Sequence, residues 1–191
     1  MLSRRERKKL ETRARILRAA LELFSEHGYD EVRIEDIRDR ADVANATFFA
    51  HFPTKASLIS AFGVYLFSRV ESRLSEFQGG AMEQLEVLRA VYFDEWADYA
   101  GVLSRIHRSL GSSEANTIIQ TGPELVALIE KIILAGQGDG IFSKSASPHL
   151  VAHCLAGGWR AVMDDFLDSG DLKTAKIANR QVLDIVMDGI K

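Results

Sequence analysis

The chain has 191 residues and carries 24 Lys and Arg against 27 Asp and Glu, a formal charge of −3. Its 47% hydrophobic and 27% charged residues are ordinary globular composition, which excludes a disordered or collagen-like chain. No apolar run reaches the roughly eighteen residues that a membrane span needs, the charged N-terminus does not read as a secretory signal, and a single Cys154 excludes an internal disulfide and fits a reducing cytoplasm.

Such a length suits one domain, or two small helical units sharing a core. Charge is unevenly spread. Between positions 1 and 18 stand Arg4, Arg5, Arg7, Lys8, Lys9, Arg13, Arg15 and Arg18 against Glu6 and Glu11, a net +6, so the remainder carries −9. A basic arm on an acidic body supplies phosphate-neutralising contacts, although a solvated helix start has the same composition.

Apolar residues recur at helical spacing nearly throughout. Leu10, Ile16, Leu17, Ala20, Leu21 and Phe24 form a first stripe, ended by His27-Gly28. A short second helix is expected over about 35–40, a tight turn over 41–43 and a short third helix over 44–51. Pro53 then interrupts, with Thr54 as N-cap of a long fourth helix that Gly79-Gly80 closes. A fifth helix is expected over about 82–99, and a shorter piece from Gly101. Thr121-Gly122-Pro123 opens the next, proline being tolerated in a first turn. The glycines between 136 and 140 read as a loop without Walker spacing, Ser147-Pro148 as another helix start, and the final helix spans about 173–190. The fold class is therefore all-α, with about nine helices.

The helix begun at Pro148 and the final helix are apolar around much of their circumference, which calls for burial on every side. A second subunit is the simplest cover, the alternative being a fully central pair of helices in a monomer, and Gly157, Gly158 and Ala161 permit close helix approach. The expected homodimer interface is Leu150, Val151, Cys154, Leu155, Gly158, Ala161, Val162, Val182 and Val186. His149 and His153, four apart, have metal-compatible spacing but no acidic partner at the right step, so no metal site and no cofactor are expected.

A helix, a three-residue turn and a short second helix make a helix-turn-helix. Its second helix must present small and polar side chains to a major groove. Ala44, Asn45, Ala46 and Thr47 do so: Asn45 and Thr47 can read base edges, while the alanines allow close approach. Phe48 and Phe52, four apart, can anchor the helix from behind.

Positions 28–58 read GYDEVRIEDIRDRADVANATFFAHFPTKASL and resemble the DNA-binding domain of the TetR family of bacterial transcriptional regulators. The family pattern is kept at Gly28-Tyr29, Val32, Ile37, Ala41, Val43, Thr47, Phe52, Lys55 and Leu58, with conservative matches at Phe48, His51 and Thr54. Arg33 replaces a usual Thr, Arg38 an Ala, Asp42 the turn Gly, Ala44 a Ser or Thr, Ala46 a Gly, and Phe49 a Tyr whose hydroxyl commonly meets phosphate. The resemblance implies a helix-turn-helix domain over 1–54 and a ligand-binding and dimerisation bundle over 55–191. The DNA-binding residues expected are Arg33, Ala44, Asn45, Ala46, Thr47, Phe48, His51 and Lys55, with Lys55 meeting phosphate at a helix N-terminus.

The resemblance also implies a small-molecule effector. Phe62, Tyr65, Phe93, Trp96, Tyr99 and Trp159 supply aromatic surface, with Arg105 and His107 nearby in sequence, although core packing explains aromatic residues equally. The reading is a cytoplasmic, dimeric, ligand-responsive regulator, a repressor released from a palindromic operator by a mostly apolar ligand. It is not an enzyme: no nucleophile–base constellation stands out. A DNA-binding adaptor without an effector, or a helical metal- or ligand-binding protein, remain the alternatives.

Overall fold

The computed structural model describes residues 3–118 and 122–190, with side chains of 111–118 set aside; Thr121, the expected start of a helix, lies outside the described residues. Among the described residues there are nine helices: α1 Arg4–His27, α2 Ile34–Ala41, α3 Asn45–His51, α4 Lys55–Ser75, α5 Ala81–Ala97, α6 Ala100–Ile118, α7 Gly122–Gly138, α8 Pro148–Ser169 and α9 Leu172–Asp188. The chain is all-α, as its periodicity predicts. Among the described residues no helix is long and apolar enough to cross a membrane.

The described residues form two compact units, 3–64 with 101–118 and 65–100 with 122–190. Neither is a consecutive stretch of chain, because α4 continues unbroken through position 64 and α6 joins the first unit. The expected boundary at 54/55 marks only the start of α4.

In the first unit, Ser3 caps α1: its hydroxyl accepts from the Glu6 N–H (3.2 Å), and its own N–H donates to the Glu6 carboxylate (2.7 Å). Ile16, Ala19, Ala20, Leu23 and Phe24 form the buried face. Gly28, at φ 91°, donates its N–H to Phe24 and turns the chain so that the Tyr29 ring lies 5.2 Å from Phe24. Arg40 on α2 reaches Glu22 and Glu26 on α1 at 3.4 and 3.2 Å.

In the second unit, α7 packs between α5 and α8, and α9 packs on α5 and α8. Gly158 meets Val182 where a side chain would not fit. α8 is thus covered by α7 and α9, and α9 by α5 and α8. Val151, Leu155 and Val162 are buried by the chain's own helices, so the broad apolar circumference does not by itself require a second subunit.

Two glycine assignments differ from expectation. α7 runs through Gly136 to Gly138, because a Cβ at Gly136 would lie 2.4 Å from the Phe142 ring; the small residue serves packing within a helix. The turn itself comes at Gly140, with φ 73°. Gln137 steadies the following loop, donating to the Ser143 and Ala146 carbonyls at 2.7 and 2.8 Å. α6, expected to be short, is 19 residues long.

Candidate nucleic-acid interface

The turn between α2 and α3 is tight because Asp42 adopts a left-handed conformation, φ 49° and ψ 59°. The N–H of Val43 then closes on the Arg38 carbonyl at 3.1 Å. The Asp42 carboxylate stands where glycine would carry less strain.

α3 is anchored from one side. Phe48 and Phe52 are fully buried, 6.3 Å apart between ring centroids. Phe48 therefore holds the helix from behind and presents no surface to a DNA partner. The opposite side leaves Ala44, Asn45 and Ala46 exposed, with Thr47 half-buried beside them. Phe49, not singled out from the sequence as a contact, is 44% exposed on this helix.

Two arginines fix this surface. Arg38 donates to the Asn45 side-chain oxygen at 3.1 Å, which orients the amide. Arg13 on α1 lies over the Phe52 ring at 4.3 Å and donates to the His51 carbonyl at 2.8 Å, tying the basic helix to the end of α3. Neither role shows in the sequence pattern, since each links residues whose neighbourhood only the fold creates. The His51 ring is half-buried; burial first, then the Arg13 and Lys9 charges, hold its pKa below the usual histidine value. It favours a neutral imidazole.

Lys55 is placed differently from a phosphate ligand. Its ammonium donates to the carbonyls of Tyr29 (2.6 Å), Val32 (3.0 Å) and Asp30 (3.4 Å), and sits 4.2 Å from the Tyr29 ring centroid. Burial pulls its pKa down from the ordinary lysine value. The side chain clamps the loop between α1 and α2 onto the start of α4. Arg33 precedes α2 with its guanidinium exposed, 3.5 Å from Asp36, and its N–H donates to Asp36 at 2.8 Å. Asp36 performs the capping that arginine cannot; this backbone hydrogen bond is the chief cause of its lowered pKa.

The eight residues expected to bind ligand are divided between the two units. In the first unit Phe62 and His107 are buried and Arg105 is exposed. In the second, Phe93, Trp96 and Trp159 are buried, Tyr99 is half-buried and Tyr65 is exposed. Phe93 packs on Phe166 at 5.7 Å, and Trp96 on Tyr92 at the same spacing. The indole nitrogens of Trp96 and Trp159 are buried without a hydrogen-bond partner among the described residues. A groove of about 780 Å³ lies instead between α7 and α8, lined by neither tryptophan.

Glu95 is a buried carboxylate in the same unit. It accepts from Arg69 and, at 3.1 Å, from Arg73. Burial pushes its pKa up, but the hydrogen bonds from Arg69 and Arg73 and their charges prevail and hold it below the usual glutamate value.

Of the residues expected at a subunit interface, Leu150, Cys154 and Ala161 are exposed, and Gly158, Val182 and Val186 are half-buried. Ile185 on α9, 74% exposed, was not anticipated. The His149 and His153 rings touch edge to face at 4.5 Å, and His149 Nδ1 lies 3.2 Å from Glu130. Among the described residues no group of three or more His, Cys, Asp or Glu side chains is arranged to hold a metal.

Comparison with known proteins shows what this site is similar to. Residues 16–62 match the pattern of bacterial regulatory proteins of the tetR family. The HTH-type transcriptional repressor KstR of Rhodococcus jostii (strain RHA1) is 41% identical over 63 residues, 33% of this chain and 30% of that protein. The chain thus spans about a third of that relative's length. The uncharacterised HTH-type regulator YdgC of Bacillus subtilis (strain 168) is 28% identical over 194 aligned residues, 96% of this chain and 94% of that one. The fold is shared with the transcriptional regulator FadR of Bacillus subtilis, solved in complex with stearoyl-CoA: TM-score 0.71, 20% identity, covering 93% of this chain and 99% of that one. With the helix-turn-helix geometry, these findings show that residues 16–62 are similar to the helix-turn-helix segment of tetR-family regulators and that the chain shares its fold with solved structures of such regulators.

Proposed function

We propose that the protein is a dimeric repressor that binds a palindromic operator and releases it when a small, mostly apolar ligand binds. The observation that carries this reading is the face of α3. Ala44, Asn45 and Ala46 are exposed together, the Asn45 amide is oriented by Arg38, and the helix is held from behind by Phe48 and Phe52. Such a surface suits an approach to base edges, with Asn45 reading a base and Thr47 beside it. The cations of α1 and the exposed Arg33 supply phosphate contacts.

The ligand half rests on different support. Buried indole N–H groups normally find a partner. Those of Trp96 and Trp159 suit a ligand that is apolar over most of its surface and carries hydrogen-bond acceptors. Dimerisation is supported by the exposed side of α8 and α9, where Leu150, Cys154, Ala161 and Ile185 lie uncovered beside Gly158 and Val182.

The testing experiment is selection of binding sites from random duplex DNA, followed by Asn45→Ala on the selected site. An inverted repeat with half-sites about one helical turn apart is expected. Asn45→Ala should lose about 1–3 kcal/mol on the selected site and little on random DNA. Equal losses on both would remove the base-reading role.

A further inference from the structure

Asn45 stands on the face of α3 with a partner already attached. Arg38 on α2 donates from Nη1 to its side-chain oxygen at 3.1 Å. A guanidinium carries donors and no acceptor, so the atom turned toward it must be the oxygen, and the amide NH2 is turned away. Arg38 is held in place for this contact: its side chain is 22% exposed and its Nε is buried. Its charge is weakly compensated, since the Asp39 carboxylate stands 3.9 Å away and is 83% exposed. Ala44 and Ala46 flank Asn45 and add no polar side chain to this stretch.

Base edges in a major groove differ in how they answer such a surface. Adenine presents an N7 acceptor beside an N6 amino donor, and an unengaged asparagine matches both with its NH2 and its oxygen. Guanine presents two acceptors, N7 and O6; thymine presents one, and cytosine presents a donor. At Asn45 the oxygen is engaged, and the cation that engages it lies 3.1 Å away. The adenine amino group, itself positively polarised, would approach a spent acceptor beside a positive charge. The N7 and O6 of guanine would meet the Asn45 NH2 with that same charge alongside, which favours both.

We infer that Arg38 makes Asn45 a donor-only reader, so that the base it selects in each half-site is guanine and not adenine. The inference rests on the reading of α3 as a DNA-binding face and adds the class of base that this face takes. Arg38 is a positioning residue: it acts through the Asn45 amide, and its effect is on base preference and not on phosphate binding.

The experiment selects sites from random duplex DNA with the wild-type chain, with Asn45→Ala and with Arg38→Met, which keeps an unbranched stem and removes the donor. The position whose preference Asn45→Ala flattens is the one that Asn45 reads. There the wild type should favour a G·C pair over an A·T pair about tenfold. Arg38→Met should lose that preference, because the freed amide can turn to match adenine. In a second arm the wild type meets a selected duplex whose guanine has carbon in place of N7. Binding should weaken about tenfold, while Asn45→Ala is indifferent to the change. This arm stands even if Arg38→Met does not fold, and indifference of the wild type overturns the inference. An A·T preference at that position in the wild type, or a G·C preference that survives Arg38→Met, overturns the inference and leaves the DNA-binding reading intact. So does a salt slope that drops by about one unit per protomer in Arg38→Met with base preference unchanged, the mark of a phosphate contact. Recovery of no sequence, or of none that Asn45→Ala alters, overturns the inference together with the reading it rests on.

Discussion

Lys55 offers the sharpest test of how this site is built, because its sequence position and its geometry point to different roles. At the start of α4 an ammonium could meet a phosphate, yet here it is spent on three backbone carbonyls. Lys55→Met removes the charge and keeps an unbranched stem. Two of the three hydrogen bonds are short, at 2.6 and 3.0 Å, and hydrogen bonds to a charged group contribute about 1.5–3 kcal/mol each. Desolvation of the ammonium offsets part of that sum, so a loss of about 2–3 kcal/mol is expected. The assay pairs urea unfolding, followed by circular dichroism, with DNA-binding anisotropy between about 50 and 200 mM salt. Stability should fall, while the salt dependence of whatever binding remains keeps its slope. The reasoning fails if stability is unchanged and the slope drops by about one unit per protomer, since that is the signature of a lost phosphate contact.

Other expectations follow from the same geometry. Glu95 is held below its ordinary pKa, so its contribution is complete above the unfolded glutamate value of about 4.3 and is lost as pH falls through the folded value. Glu95→Gln should therefore be less stable at neutral pH and lose less on acidification; parallel acid limbs in denaturation would refute this. Asp42→Gly should raise stability by about 0.5 kcal/mol, relief of left-handed strain outweighing the added freedom of the unfolded chain. Thermal unfolding reads this directly, and a loss would show that the Asp42 side chain does more than tolerate the turn.

The helix-turn-helix was legible because its signals are local. The small and polar face of α3, the glycine after α1 and the turn at 41–43 all lie within a few residues of what they determine. What the sequence hid depends on residues brought together from a distance. Gly136 reads as a loop until Phe142 is placed against it, and Lys55 reads as a phosphate ligand until the Tyr29 and Val32 carbonyls surround it. The same limit applies to α8. Its apolar circumference is plain in the sequence, but only the packing tells that α7 and α9 cover Val151, Leu155 and Val162 while Leu150 and Cys154 stay outside. Aromatic residues carry the least positional information. Phe62, Phe93 and Trp159 are buried as any core residue would be, and burial alone does not distinguish a wall from a cavity lining.

The cap on α1 has a consequence for how this protein meets a charged polymer. Because Ser3 and Glu6 close the first turn on each other, the cations from Arg4 to Lys9 are already arrayed on a helix. A floppy tail would have to be immobilised on contact, at about 1–2 kcal/mol of backbone entropy per residue. Here that ordering is completed during folding. If the proposed function holds, encounter with a duplex resembles the seating of a preformed rod, nearly free of a disorder-to-order step, and the arm's geometry fixes which phosphates it can touch. A duplex whose backbone path does not follow that rod is disfavoured without any base being read.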